Sequence, residues 1–298
     1  MFPILPANSA TAASGNDEGI FGYGSSYVTN LVSNTGVVAS DVAGVGTDRA
    51  YGAACEYGGD KGIFGYGSNG GYTAITNLVS NAGVVASDQA AVTGSARQGP
   101  AACDYGGDKG IFAYGTGAPS YCSMSNLVSN AGVVASDVAG VGTDRAHPAA
   151  CEYGGDKGIF GYGRNATPGL SVTNLVSNAG VVASDQAAVT GTARRELAAC
   201  SYGSDTGIFG YGSGPVAETN LVSNTGVVSS DVAGVGTARR ILAACEYGQD
   251  KGIFGFGYGN GDGIVAVTNL VSNTGVVASD QAAVTGTARY GLAACSFN

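Results

Sequence analysis

The sequence predicts an all-β fold, a six-bladed β-propeller of four-stranded antiparallel blades closed into a ring by the C-terminal strand. The first observation is a repeated motif, Asn-Leu-Val-Ser-Asn-(Thr/Ala)-Gly-Val-Val-(Ala/Ser)-Ser-Asp, which begins at Asn30, Asn77, Asn126, Asn174, Asn220 and Asn269. The second is the repeat length of about 45 residues, which holds four strand-like segments. Four short strands in a repeat of this length are typical of one propeller blade. Six copies therefore predict six blades.

Each unit begins with Gly-Ile-Phe-(Gly/Ala)-(Tyr/Phe)-Gly, a short strand because Ile, Phe and Tyr favour extended structure. After a loop of variable length, Asn-Leu-Val-Ser and Val-Val-Ala-Ser-Asp flank a tight Asn-(Thr/Ala)-Gly turn, the pattern of a hairpin. The fourth segment ends in Ala-Ala-Cys, and its small side chains predict the strand nearest the central axis. It follows a repeated arginine, at Arg49, Arg97, Arg145, Arg194, Arg239 and Arg289.

The phase of the repeat predicts how the ring closes. The sequence enters the first unit at its Gly-Ile-Phe strand and ends after Ala-Ala-Cys295, the strand that this first unit lacks. Pairing the two ends in one sheet would remove exposed sheet edges. A β-helix is the competing architecture, but it usually has a shorter period and polar capping units.

We divide the chain into an N-terminal arm, residues 1–16, and a propeller, residues 17–298. The arm is rich in Ala, Ser, Asn and Pro. It is either loose or docked on a partner during assembly. It could also imitate a strand, because Ser9–Ala12 aligns with Gly52–Cys55.

Charge and hydropathy exclude two classes of partner. The net charge is −9 and there are only 13 Lys and Arg residues, so the chain lacks the basic stripe that binds a phosphate backbone. We expect no nucleic acid as partner. We also expect no membrane insertion, since there is no run of about 18 apolar residues. The segment Met1–Pro6 has neither the basic region nor the long apolar run of a signal peptide.

Residues 239–245, Arg-Arg-Ile-Leu-Ala-Ala-Cys, followed by residues 252–257, Gly-Ile-Phe-Gly-Phe-Gly, carry a family resemblance. Over residues 17–298 the repeat resembles the kelch-like propeller family, although the family's Gly-Gly doublet is here Gly-Tyr-Gly and its outer-strand Trp is absent. It looks closer to the variant kelch-like repeats of environmental virus and phage proteins. The resemblance implies a binding or structural role, as a virion or tail-associated decoration or attachment protein. It also favours a virion or extracellular location over a cytoplasmic one.

The repeated cysteines and charges have structural explanations. Equivalent positions in a ring lie too far apart for disulfides, so we expect six buried, reduced thiols. They are Cys55, Cys103, Cys151, Cys200, Cys245 and Cys295. A central thiolate metal site is the less favoured alternative, and Cys122 is the candidate for exposed reactivity. The Asp that ends each motif and the repeated Arg predict a ring of Asp–Arg contacts within or between blades.

Nothing in the sequence predicts catalysis. The resemblance includes a minority of oxidases, but their copper site needs several His and Tyr ligands and His147 is the only histidine. The Asp-Lys-Gly turns lack the dense ligand spacing of calcium loops, and turn chemistry explains them. We therefore expect no catalytic residues, no metal and no cofactor.

Two segments of the repeat vary in length and chemistry, which predicts where a ligand binds. One is the loop after Gly-Tyr-Gly and the other follows the repeated arginine. In a four-stranded antiparallel blade both emerge on one face, and loops on a rigid scaffold are where binding diversifies. The alternative is that these loops vary because nothing constrains them. The predicted binding residues are Tyr27, Tyr51, Tyr72, Tyr121, His147, Arg164, Arg195, Arg240, Tyr258 and Tyr290.

The predicted function is therefore a non-enzymatic binding or structural propeller whose variable-loop face contacts a protein or a glycan. A glycan-binding, lectin-like propeller is the alternative, and an enzyme is the less favoured third reading. Assembly through the N-terminal arm is a further expectation.

Overall fold

The computed structural model describes residues 17–89, 94–165, 169–186, 191–261, 263–281 and 285–297. The N-terminal arm predicted at residues 1–16 lies outside this range. All named strands pair antiparallel, and the described residues form no helix. No helix that could cross a membrane occurs in this part of the chain.

The strands follow the repeat along the chain. The first seven are β1 (Glu18–Gly22), β2 (Val28–Val32), β3 (Val42–Ala43), β4 (Ala53–Tyr57), β5 (Lys61–Gly65), β6 (Thr76–Val79) and β7 (Arg97–Gln98). The next seven are β8 (Ala101–Tyr105), β9 (Lys109–Ala113), β10 (Thr116–Gly117), β11 (Ser125–Val128), β12 (Ala149–Tyr153), β13 (Lys157–Gly161) and β14 (Thr173–Val176). The last nine are β15 (Ala198–Tyr202), β16 (Thr206–Gly210), β17 (Thr219–Val222), β18 (Arg239–Arg240), β19 (Ala243–Tyr247), β20 (Lys251–Gly255), β21 (Tyr258–Gly259), β22 (Thr268–Val271) and β23 (Ala293–Phe297).

Six sheets within the described residues repeat one plan, in which the Ala-Ala-Cys strand pairs with the Gly-Ile-Phe strand and that strand pairs with the Asn-Leu-Val strand. In sheet order they are β23-β1-β2-β3 (sheet 1), β4-β5-β6 (sheet 2), β8-β9-β11 (sheet 3), β12-β13-β14 (sheet 4), β15-β16-β17 (sheet 5) and β19-β20-β22 (sheet 6). The register is the same throughout; Cys151 lies opposite Ile159, which lies opposite Leu175. In sheet 1 the last strand of the chain supplies the Ala-Ala-Cys strand, with Cys295 opposite Ile20.

The prediction of four strands in every blade is wrong for five of the six sheets, which have three strands in the described residues. The Val-Val-Ala-Ser-Asp segment forms one isolated bridge, such as Val176 with Val182, instead of a strand. This holds in sheet 1 too, where β3 follows the segment, and in every unit the repeated asparagine contacts the segment. The Asn174 side-chain amide donates to the carbonyl of Ala183 and to the Asp185 carboxylate, both at 2.9 Å, and so replaces further main-chain pairing.

Neighbouring sheets interlock through glycines. A Cβ added to Gly158 in β13 would lie 2.5 Å from the Cys103 Sγ of sheet 3, so the cysteine fills the space that this glycine leaves. At the other end of β13, a Cβ on Gly161 would lie 2.8 Å from the Phe209 ring of sheet 5. Both contacts recur around the molecule. The repeated Gly and Cys are therefore a packing pair, which explains why one strand of each sheet is built from small residues.

The Ala-Ala-Cys strands lie side by side. Each contacts the equivalent strand of the next sheet, and β23 contacts both β19 and β4. Residues from all six of these strands line one central cavity of ≈ 50 Å³. The six cysteines of these strands are buried and unpaired, as predicted, whereas Cys122 is partly exposed and also unpaired.

The repeated arginines are buried between sheets. Arg145 stacks on Tyr114 of the preceding sheet, with 3.7 Å from its Cζ to the ring centroid, and donates to Asn174 Oδ1 at 2.7 Å. Its acidic partner is Asp185, at 3.9 Å, further along the chain instead of before it. Asp–Arg ion pairs of this kind form in three units, through Arg97, Arg145 and Arg194. In these three units the predicted Asp–Arg contacts are present.

Candidate functional site

A ring of main-chain hydrogen bonds surrounds one end of the central cavity. The ring residues are those two positions after each repeated arginine. The main-chain N–H of each ring residue donates to the carbonyl of the equivalent ring residue in the preceding sheet. The six bonds measure 2.7 to 3.1 Å and close on themselves, through Tyr51, Gly99, His147, Glu196, Ile241 and Gly291. We call the surface around this ring the aromatic mouth.

All six ring residues have a positive φ, from 52° at His147 to 69° at Gly291. Four of them carry side chains, which this backbone region disfavours. Each lies between a buried arginine and the following strand, and both its N–H and its carbonyl are bonded within the ring. The hydrogen-bonded main chain thus defines the positions of the Cα atoms from which the rim side chains project.

The two variable segments of the repeat meet at this mouth. In sheet 3 the residues just before β8 form β7. This short strand pairs with β10, which lies in the variable loop after β9. In sheet 6 the same pairing joins β18 to β21. Isolated bridges do so elsewhere, between Ala50 and Ser68 and between Ala146 and Arg164. The structure thus brings together the two segments that the sequence analysis placed on one face.

Four aromatic side chains form a row across the mouth. The ring centroids of Tyr258 and Tyr290 are 6.2 Å apart, those of Tyr290 and Tyr51 are 6.3 Å apart, and those of Tyr51 and His147 are 5.7 Å apart. The Arg240 guanidinium lies 5.5 Å from the Tyr258 centroid. Tyr51 and His147 also line a cavity of ≈ 70 Å³ within the mouth.

The charges of the mouth centre on Glu196, whose side chain is only 9% exposed. Its carboxylate accepts from Arg240 at 2.8 Å and lies 3.5 Å from Arg195 Nε. Burial lowers the pKa of His147 to about 4; Glu196 opposes this shift, whereas Arg164 and Arg195 add to it. The imidazole is therefore neutral at pH 7 and acts as an aromatic surface and hydrogen-bonding group.

Three of the predicted tyrosines lie outside the aromatic row. Tyr72 is 42% exposed and bridges Ser68 within its own loop. Tyr121 pairs with Thr116 and lines a separate cavity beside Cys122. Tyr27 packs against Tyr23, and its hydroxyl donates to the Gly46 carbonyl, so it stabilises its own unit and is not part of the mouth.

Sequence reasoning missed Glu196, which holds two of the predicted arginines together. It also missed a set of acidic residues in the central cavity, namely Glu56, Asp104, Glu152 and Glu246. Each of these residues directly follows a repeated cysteine. Successive side chains of a strand point to opposite faces, so the burial of the cysteine already predicted that the acidic residue faces the other way. They keep some accessible surface because they face the cavity, although protein surrounds them.

Burial raises the pKa of the cavity carboxyl groups. It does so for Glu152 and for Asp104, and the two side chains hydrogen-bond each other. Burial, with a further contribution from Asp104, raises the pKa of Glu246 to about 8. At neutral pH the cavity therefore retains protons that isolated carboxyl groups would lose. Nowhere in the described residues do three His, Cys, Asp or Glu side chains lie together in a way that could hold a metal ion.

Comparison with known proteins shows the fold alone. No family model matches the chain, and no curated protein matches it. Among solved structures, one titled "Structure of YjhT" superimposes with a TM-score of 0.66 at 10% sequence identity, covering 89% of this chain and 94% of that chain. The chain is thus an all-β protein of repeated antiparallel sheets, an architecture that fits a β-propeller.

Proposed function

We propose that this chain is a six-bladed β-propeller, closed by β23, that binds a partner without catalysis through its aromatic mouth. Six sheets of one plan, the pairing of β23 with β1 and the contacts of β23 with both β19 and β4 support the closed ring. Closure would give the mouth the rigidity that a preformed binding site needs, because ordering costs are then avoided on binding.

The observation that carries the binding function is the chemistry of the mouth. Tyr, His and Arg side chains concentrate on a rim that is otherwise built from main chain, and Tyr and Arg are enriched among residues that dominate binding energies. Their positions are also those that differ most between units. The tyrosines at the other end of the strands, such as Tyr57 and Tyr105, are buried in the packing between sheets and offer no comparable exposed aromatic surface.

A lectin-like function is the second candidate, favoured by the aromatic row, since flat rings that carry a polar tip present both apolar and hydrogen-bonding surface. Attachment to a virus or phage particle is the more specific form of the binding proposal. It rests on the kelch-like resemblance of the repeat.

The test uses residues that the chain itself carries at equivalent positions. Tyr51→Gly copies Gly99 and Gly291, and Tyr290→Ala copies Ala50 and Ala146, so the double variant should fold. Both proteins are screened on a random peptide display library and on a glycan array. We expect the double variant to bind selected ligands about tenfold or more weakly than the wild type.

The matched control is Val133→Ser, a change in an invariant turn where the side chain is 64% exposed. It should leave binding unchanged. Equal binding by the wild type and the Tyr51→Gly/Tyr290→Ala variant would refute the proposed site, and peptide against glycan hits would separate the two candidate functions.

A further inference from the structure

The arginines outside the repeated position are Arg164, Arg195 and Arg240, and all three lie at the aromatic mouth. The six repeated arginines are buried between sheets and serve packing. The four lysines begin β5, β9, β13 and β20 at the opposite end of the sheets, where each pairs with the preceding aspartate. The cations that are free of repeat packing and turn chemistry thus collect on one face of an acidic protein.

The charged groups that shift the pKa of His147 include one carboxylate, that of Glu196. Glu196 lies against Arg195 and Arg240, and Arg164 forms no ion pair with a described residue. The Arg164 Nε is buried without a hydrogen-bond partner. The mouth therefore has an excess of positive charge and at least one guanidinium with donor capacity left.

The size of the mouth indicates how a ligand would lie. The cavity of ≈ 70 Å³ is lined by Tyr51, His147 and Glu196 and by none of the three arginines, so a ligand carboxylate would lie outside it, on the rim. The aromatic row is longer, with three successive centroid separations of about 6 Å. An extended peptide advances about 3.3 Å per residue, so the path from ring to ring along the row matches at most about five residues.

We propose that the aromatic mouth binds an acidic peptide segment, with one Asp or Glu carboxylate held on the rim beside Arg164, near Arg195 and Arg240 and outside the cavity that Glu196 lines. This inference rests on the proposed binding function and names its ligand class. The peptide backbone and apolar side chains lie along Tyr258, Tyr290 and Tyr51. Guanidinium groups suit the carboxylate because they donate two parallel hydrogen bonds.

The experiment pans a random peptide display library against the wild-type protein and synthesises the enriched peptides. Each is compared with an analogue in which Asp and Glu are replaced by Asn and Gln, which keep the shape and remove the charge. We expect acidic residues to be enriched and the amide analogues to bind about tenfold more weakly. Affinity for the acidic peptides should fall as salt is raised, because salt screens the attraction.

The variant is Arg164→Ser, which copies Ser25, Ser68 and Ser213 at the equivalent position. It should reduce the preference for the acidic peptide over its amide analogue. The control is Lys157→Thr, which copies Thr206 and removes one positive charge at the opposite end of the strands. This control should keep the full preference.

Three results would overturn the inference: equal binding of acidic and amide peptides, no effect of Arg164→Ser, or binding of acidic polysaccharides with no enriched peptide. The proposed function fails separately. If neutral peptides bind and their binding depends on Tyr51 and Tyr290, the proposed binding site stands and only its preference for acidic peptides is refuted.

Discussion

The contact between Gly158 and Cys103 predicts a large and specific cost for a single methyl group. A Cβ on Gly158 would lie 2.5 Å from Cys103 Sγ, 3.3 Å from the Asp104 carbonyl and 3.4 Å from Val176 Cβ. Ordinary contacts between such atoms are about 3.5 to 4.0 Å. The Gly158→Ala change therefore forces the sulfur to move by about 1 Å in a site where Cys103 is only 3% exposed.

Inserting a methyl group into a well-packed core costs about 1 to 3 kcal/mol. We expect Gly158→Ala to lower the free energy of unfolding by about 2 kcal/mol. Cys103→Ala removes the sulfur and should cost about 1 kcal/mol on its own. In the double variant the new methyl occupies the space of the lost sulfur, so the double variant should be about 2 kcal/mol more stable than the sum of the single changes predicts.

The assay is urea denaturation followed by tyrosine fluorescence and circular dichroism, since the chain has no Trp. Gly161→Ala, in the same strand, is the control. Its Cβ would meet Phe209 at 2.8 Å, yet sheet 3 already carries the fully buried Ala113 at this position, packed on Phe160. We expect this change to cost less than about 1 kcal/mol.

Additive effects in the Gly158→Ala/Cys103→Ala double variant would refute the interlock between sheets. Equal costs for Gly158→Ala and Gly161→Ala would refute it as well, because loss of glycine in a strand would then be the cause.

Three further predictions concern the thiols, pH and the chain terminus. Thiol reagents should modify Cys122 first and the six buried cysteines only on denaturation, because burial raises their pKa values; rapid modification of all seven would contradict this. Burial raises the pKa of Glu152 from 4.5 to about 11 and that of Glu246 from 4.5 to about 8, so their contribution to stability is present below pH 4.5 and is lost as pH rises toward these folded-state values. Glu152→Ser, which copies Ser201, should therefore raise the urea midpoint near pH 9 relative to wild type more than near pH 5, and a pH-independent effect would argue against raised pKa values. Deleting residues 288–298 removes β23 and exposes β1, so the truncated protein should lose cooperative unfolding or aggregate, whereas melting like the wild type would disprove the closed ring.

The sequence alone predicted the strands that packing fixes. Ile159 lies in a predicted strand because β-propensity and burial act together there, whereas the strand of Cys151 was predicted from its small side chains and its place in the repeat. The Val-Val-Ala-Ser-Asp segment has the same propensity, yet the Asn174 side chain replaces the main-chain pairing that a strand would need. Strand propensity does not predict that a side-chain hydrogen bond will take the place of main-chain pairing.

The predicted site was partly assembled by the structure. Tyr51 and His147 are ring residues with a positive φ, whereas Arg240 and Tyr290 directly follow a repeated arginine and Tyr258 pairs with Arg240 from the neighbouring loop. Tyr and His are poor indicators of that conformation, so the sequence did not separate this position from the one before it. Tyr27 belongs to an equally variable loop, but its hydroxyl finds a carbonyl within its own unit.

The hydrogen-bonded ring at the mouth decides how a partner can be recognised. An open sheet edge offers unpaired N–H groups to which a foreign strand can add. Here the six inward N–H groups are all consumed by neighbouring carbonyls, and the circle has no first or last member. A partner cannot add a strand to this ring, and at the ring it must be selected by the side chains of the rim.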